Sequence, residues 1–155
     1  MLEPCGEPLH LYWQVLQRIR KIGSLADRAV HPVCAGCGIT GLQLGVLLFV
    51  HARGPQTITA IAQNMGMAGA NNSALCKKLE KEGLLQRERD EKDERQVLVR
   101  LTPEGESLLN GMSRQCDEWK DQLLAHISMQ DIEQALEAME TVAAAMEAAE
   151  RTGKE

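Results

Sequence analysis

Aromatic side chains are scarce in this chain: one Phe, one Tyr and two Trp, 3% of 155 residues. Aliphatic and Met side chains must therefore fill any core. Long apolar runs are missing as well. The greasiest stretch, Leu42 to Val50, is far shorter than the roughly 20 residues a membrane-spanning helix needs. The opening Met1-Leu2-Glu3-Pro4-Cys5 lacks a basic region followed by an apolar one, so no secretion signal and no membrane partner are expected, and a cytoplasmic location is. Five cysteines, an odd number, do not make a disulfide framework in a reducing compartment. No βαβ pattern surrounds the single Cys-x-x-Cys pair, and no Ser/His/Asp set or carboxylate pair converges elsewhere. An enzyme is not expected, and no cofactor is implied.

What is present fits one compact domain: 44% of the residues are hydrophobic and 25% charged, enough for a real core. The net charge of −5 argues against nucleic acid only if it is read as an average. Residues 1–76 carry five Lys/Arg against three Asp/Glu, residues 77–100 eight against seven, and residues 101–155 four against twelve. The acid is thus concentrated at the carboxy-terminal end. A protein that meets DNA with its middle needs positive charge only where it meets phosphate.

The periodicity predicts mostly helix with one β interruption. Tyr12, Leu16, Ile19, Ile22 and Ala26 fall near the three-to-four spacing of a buried stripe, predicting a helix over about 9–30 that stops at His31-Pro32. A Gly-rich loop, Val33 to Ile39, follows. Thr40 with Gln43 makes a capping box for a second helix through about Arg53, and Gly54-Pro55 ends it. Thr59 then caps a short helix carrying Ile61, Ala62 and Met65, Gly66 makes a turn, and a helix over about 68–82 places Leu75, Cys76 and Leu79 inward.

The opposite face of that last helix is polar: Asn71, Ser73, Ala74, Lys77 and Lys78. Asn and Lys on a helix in the major groove pair with base edges and phosphates. The other reading is an ordinary solvated face. Strands over 84–89 and 96–101 then form a hairpin, with Val97 and Val99 supplying β-branched residues, around a wholly charged tip, Asp90 to Arg95. Arg87, Arg89, Lys92 and Arg95 are its candidate phosphate or minor-groove contacts, with Asp93 placed to hold the Arg95 guanidinium.

Two further stripes recur at three and four. Leu109, Met112, Cys116, Trp119 and Leu123 lie on one helix that starts at Thr102-Pro103. Ile132, Leu136, Met139, Ala143 and Met146 lie on another, capped by Ser128 with Asp131. A second copy of the chain would cover them, the alternative being a monomer that folds its ends over its own core.

This order of elements resembles the MarR family of winged helix-turn-helix regulators. The resemblance rests on Leu79-x-x-x-Gly83 at a helix end, Asp93-x-Arg95 in the wing, and Leu101-Thr102-x-x-Gly105 opening the next helix. It implies a mainly α fold with a small β-hairpin wing: one domain over 1–155, a DNA-binding lobe over 40–101 and dimerisation helices over 8–30 and 103–150. By the same resemblance the protein is a homodimer that binds double-stranded DNA at a near-palindromic operator and represses until a signal intervenes. The Asp93-Glu94-Arg95 tip followed by Val97-Leu98 is most similar to the peroxide-sensing branch. Three positions depart from the family's pattern. Ala68 replaces the usual Ser or Thr cap, Ala74 a common Arg, and Asn72 an apolar residue. The first helix also lacks the Cys that branch uses, none lying between Leu9 and Val30.

The signal is open at this level. Cys34 and Cys37 form a pair that oxidises to a disulfide, or with His31 binds a soft metal, or is incidental to the loop. Cys76 and Cys116 occupy apolar stripe positions, where a buried inert thiol is the ordinary reading. A small organic effector is the second mode, and the resemblance puts its pocket between the dimerisation helices and the DNA-binding lobe, near Tyr12, Trp13 and Phe49.

Overall fold

The computed structural model describes residues 7–66, 69–90 and 96–152. They divide into two compact units, Met1–Cys116 and Asp117–Glu155. No single helix among the described residues is long and apolar enough to cross a membrane.

The first unit runs α1 (Glu7–Gly36), α2 (Gly41–Arg53), β1 (Gln56–Thr57), α3 (Ile58–Met65), α4 (Gly69–Lys81), β2 (Leu85–Arg89), β3 (Val97–Leu101) and α5 (Pro103–Gln115). The capping box at α2 forms as the sequence predicts, with the Gln43 N–H donating to Thr40 Oγ1 at 3.2 Å and the Thr40 N–H to Gln43 Oε1 at 2.9 Å. Gly66, at φ 60°, takes the left-handed conformation that ends α3 and turns the chain toward α4, a conformation that costs glycine little. The hairpin strands pair antiparallel, with Leu85 opposite Leu101 and Arg89 opposite Val97.

Three local expectations are corrected. His31-Pro32 does not stop the first helix, because α1 continues through Pro32 to Gly36. An interior proline forfeits one backbone hydrogen bond, but Val30, Val33, Cys34 and Cys37 pack into or against the core in the helix's last turns and the residue after it, and that burial outweighs the local cost. The expected loop from Val33 to Ile39 is therefore mostly helix. Second, Thr57 rather than Thr59 caps α3, its Oγ1 accepting from the Ala60 N–H at 3.1 Å. The reason is a strand missed in the sequence: Gln56 and Thr57 pair with Val99 and Leu98, which holds Thr57 in the extended conformation a cap needs. Third, the helix that starts at Pro103 breaks at Cys116, and α6 (Asp117–Leu124) begins with Asp117 and Glu118, acids that suit the positive end of a new helix.

The core of this unit is centred on α2. Val46, Leu47, Ile61, Cys76, Leu79 and Val99 are fully enclosed, with Leu85, Leu109 and Met112 closing the cluster. Each such side chain contributes about 1.5–3 kcal/mol by leaving water. Leu79 and Cys76 thus pin the inner face of α4, which leaves its outer face to solvent.

The second unit contains α6 and α7 (Met129–Thr152). Ser128 and Asp131 cap α7 as expected, the Asp131 N–H donating to Ser128 Oγ at 3.1 Å. No described residue of either helix is buried.

Candidate nucleic-acid interface

The geometry of α4 follows from its inner face. Cys76 and Leu79 are buried and Leu75 packs against the core. One helical step away, Asn71, Ala74, Lys77 and Lys78 are exposed and Ser73 half-buried. All five residues expected on the polar face therefore lie off the core. Asn72, where an apolar residue is usual in the resemblance, is fully buried, and its Nδ2 donates to the Ile58 carbonyl at 2.8 Å. Its Oδ1 has no hydrogen-bond partner among the described residues. The bond ties α4 to the first residue of α3, so the angle between the two helices is held by a polar contact as well as by packing.

Charge around this face is sorted by pairing. Glu80 accepts from Arg87 Nε, Glu88 from Arg100 at 3.1 Å, and Glu82 lies 3.8 Å from Lys78 Nζ. Lys77 and Arg89 have no ion-pair partner among the described residues. Arg87, counted with the DNA-facing cations, is thus a strut between β2 and α4. Lys92, Asp93 and Arg95 lie outside the described residues, as do Ala68 and Cys5.

Two motifs carried by the resemblance meet in space. Gly83, at φ 75°, leads the chain out of α4. Thr102 donates from its N–H to the Leu84 carbonyl at 3.1 Å and from its hydroxyl to the Gly83 carbonyl at 2.6 Å, while Oγ1 accepts from the Gly105 N–H at 3.0 Å. A Cβ on Gly105 would sit 2.3 Å from the Leu84 oxygen. The helix end, the return strand and the start of α5 are therefore one joint.

The four described cysteines are free thiols. Cys34, in the last turn of α1, is 2% exposed. Its thiol pKa is raised, by burial first and then by the nearby thiols of Cys37 and Cys116. Cys37 is half-buried and lines a cleft of about 440 Å³ with Leu84, Leu108, Met112 and Gln115. His31 is exposed beside a second cavity, of about 470 Å³, whose walls include Asp27, Val30, Cys34 and Met65. No three His, Cys, Asp or Glu residues among the described ones come together to hold a metal; α1 carries Cys34 into the core and leaves His31 in solvent. Cys76 is buried as expected, and its pKa is raised by burial and by Glu80, with Arg87 opposing. Of the three aromatics expected around an effector, Tyr12 and Trp13 are 55% and 53% exposed on α1, while Phe49 packs against the core.

A contact the sequence did not reveal joins Gln43 to Glu82. Gln43 is read from sequence as the second half of a capping box, which accounts for its Oε1 alone; nothing marks a partner 39 residues away for its Nε2.

A recognition-type helix held by a preceding helix and flanked by a hairpin defines a winged helix-turn-helix protein. Residues 38–96 match the model of the MarR family. The uncharacterized HTH-type transcriptional regulator YfiV of Bacillus subtilis is 33% identical over 70 residues, 45% of this chain and 44% of the relative. The chain spans less than half the length of the curated relatives it matches. Among solved structures, the transcriptional regulator BldR from Sulfolobus solfataricus superposes with a TM-score of 0.72 at 21% identity, covering 90% of this chain and 99% of that one. A point mutant of MepR from S. aureus, bound to an oligodeoxyribonucleotide, superposes with 0.58 at 22% identity, covering 85% and 97%. At such identities the likeness establishes the fold. The central segment, residues 38–96, is in addition similar in sequence to the MarR family.

Proposed function

We propose that this protein is a cytoplasmic, sequence-specific regulator of transcription that binds double-stranded DNA with α4 in the major groove and the hairpin beside it. The carrying observation is the sorted charge: Glu80, Glu82 and Glu88 each have a partner, while Lys77, Arg89 and Asn71 stay exposed. Acids that are already engaged repel phosphate less, so this surface suits DNA although the chain is acidic overall. The solved relative that carries an oligodeoxyribonucleotide on the same fold supports the reading.

The functional unit in this reading is a homodimer. On α1, Leu9, Tyr12, Trp13, Ile19, Ile22 and Leu25 are each about half exposed, and on α7 so are Leu136, Met139, Val142 and Met146. Apolar rows of this length on a single subunit suit a second copy. The segments 8–30 and 103–150 are assigned to that contact and 40–101 to the lobe on DNA. Two-fold symmetry then sets the recognition helices about 34 Å apart, one turn of the duplex, on a near-palindromic operator.

Binding represses transcription until a signal favours a dimer that fits the operator poorly. The signal is oxidation of Cys34 and Cys37 or a small organic ligand, and the cleft beside Cys37 is room for the ligand. The competing reading, a winged-helix module that binds protein through this surface, requires no duplex affinity. Titration of labelled promoter fragments at two salt concentrations separates the two, because phosphate contacts impose a steep salt dependence.

A further inference from the structure

Gln43 is 1% exposed, and both atoms of its amide are used. Oε1 accepts from the Thr40 N–H at 2.9 Å, and Nε2 donates to Glu82 Oε2 at 2.9 Å. A capping box needs only the first bond. Glu, an alternative at this position of such a box, would set a second carboxylate against Glu82. Glu82 is the residue after α4, and its carboxylate also lies 3.8 Å from Lys78 on the exposed face. The end of α4 is already closed by backbone bonds, Gly83 N–H to the Glu80 carbonyl at 3.0 Å and Leu84 N–H to the Leu79 carbonyl at 2.9 Å. The Gln43 bond is therefore not required to finish the helix. What it adds is a fixed distance between the carboxy-terminal end of α4 and the amino-terminal end of α2.

We infer that Gln43 is a positioning residue for DNA recognition, its buried amide holding Glu82, and with it the last turn of α4 and Lys78, in the orientation the duplex requires. The inference rests on the DNA-binding reading. A bond from a buried amide to a carboxylate is the stronger kind, and losing it leaves the amide unpaired in the core. The joint also starts where the cysteine segment ends: the Ile39 N–H bonds the Cys34 carbonyl at 3.0 Å, and Thr40 follows directly.

Charge and position make opposite forecasts for Glu82. Removing a negative charge beside a phosphate-facing surface tightens DNA binding on electrostatic grounds alone. Positioning predicts a split between two variants that remove the same charge. Glu82→Gln keeps an acceptor for Gln43 and binds a promoter duplex as well as the unmodified protein or better. Glu82→Ala and Gln43→Met lose the bond and bind about tenfold more weakly, and the double variant is no weaker than the weaker single one. Measurements are made well below each variant's melting temperature. Equal affinities of the Ala and Gln variants overturn the inference. If the unmodified protein binds no duplex, the DNA reading fails by itself, and hydrogen exchange still decides the contact. Amides of Lys77 to Lys81 exchange faster in Glu82→Ala and unchanged in Glu82→Gln if Gln43 holds them, and identical exchange in all variants rejects the role.

Discussion

The hydroxyl of Thr102 donates to the carbonyl of Gly83 at 2.6 Å, across 19 residues of chain. This bond closes the joint between the end of α4 and the start of α5, and Gly105 lets the two backbones approach. A methyl group at Gly105 meets backbone at Leu84, which cannot swing aside as a side-chain tip can. Gly105→Ala should therefore destabilise the protein by roughly 3 kcal/mol, at the upper end for an overpacked core site. Urea unfolding measures it, and a midpoint equal to the unmodified protein's contradicts the joint.

Base contacts and phosphate contacts should separate in α4. Asn71→Ala is expected to cost about 1–3 kcal/mol at particular base pairs and to relax preference there. Lys77→Ala should weaken every duplex alike and lower the salt slope by about one. The same uniform loss is expected of Arg95→Ala. Titration against a set of single-base operator variants distinguishes the patterns, and uniform loss in Asn71→Ala would refute its role in base readout.

Most of this architecture was legible in the sequence because its signals are local. Thr40 with Gln43, Ser128 with Asp131 and Gly66 each act within a turn of chain, and each works as read. Local signals mislead where tertiary packing overrides them. Pro32 looks like a helix stop, yet burial of Cys34 and its neighbours carries α1 four residues further. Thr59 looks as good a cap as Thr57 until β3 is there to pair with residues 56 and 57. In the candidate site, the exposed face of α4 was legible from 3.6-residue periodicity. The partners of Arg87, Asn72 and Gln43 were not, since spacing along the chain says nothing about which side chains meet across a fold.

Cys34 and Cys76 share a consequence for alkaline stability. Burial raises both thiols above the ordinary value of 9.0, so the folded chain holds these protons more tightly than the unfolded one. Their contribution is complete below about pH 9 and is lost as the pH climbs through the raised folded-state values. Urea midpoints between pH 8 and about pH 11 should fall less steeply in Cys76→Ala than in the unmodified protein; parallel slopes would count against the assignment. For the sensing role, the double variant Cys34→Ser/Cys37→Ser should bind DNA normally when reduced and ignore oxidant. A double variant that still responds removes these thiols from the signal.

Ile22, half exposed on α1, tests the dimer. Ile22→Glu places a charge in the proposed contact and should convert a dimer to a monomer in sedimentation, with loss of operator affinity. An unchanged dimer would move the interface elsewhere.

The central claim, that a two-fold pair of these chains grips successive major grooves through α4, is tested most directly by titrating the full protein with its own promoter fragment at two ionic strengths. Two subunits per duplex and an affinity that falls steeply with salt are the predicted result. A single subunit that shows no affinity for the fragment at low ionic strength would contradict it.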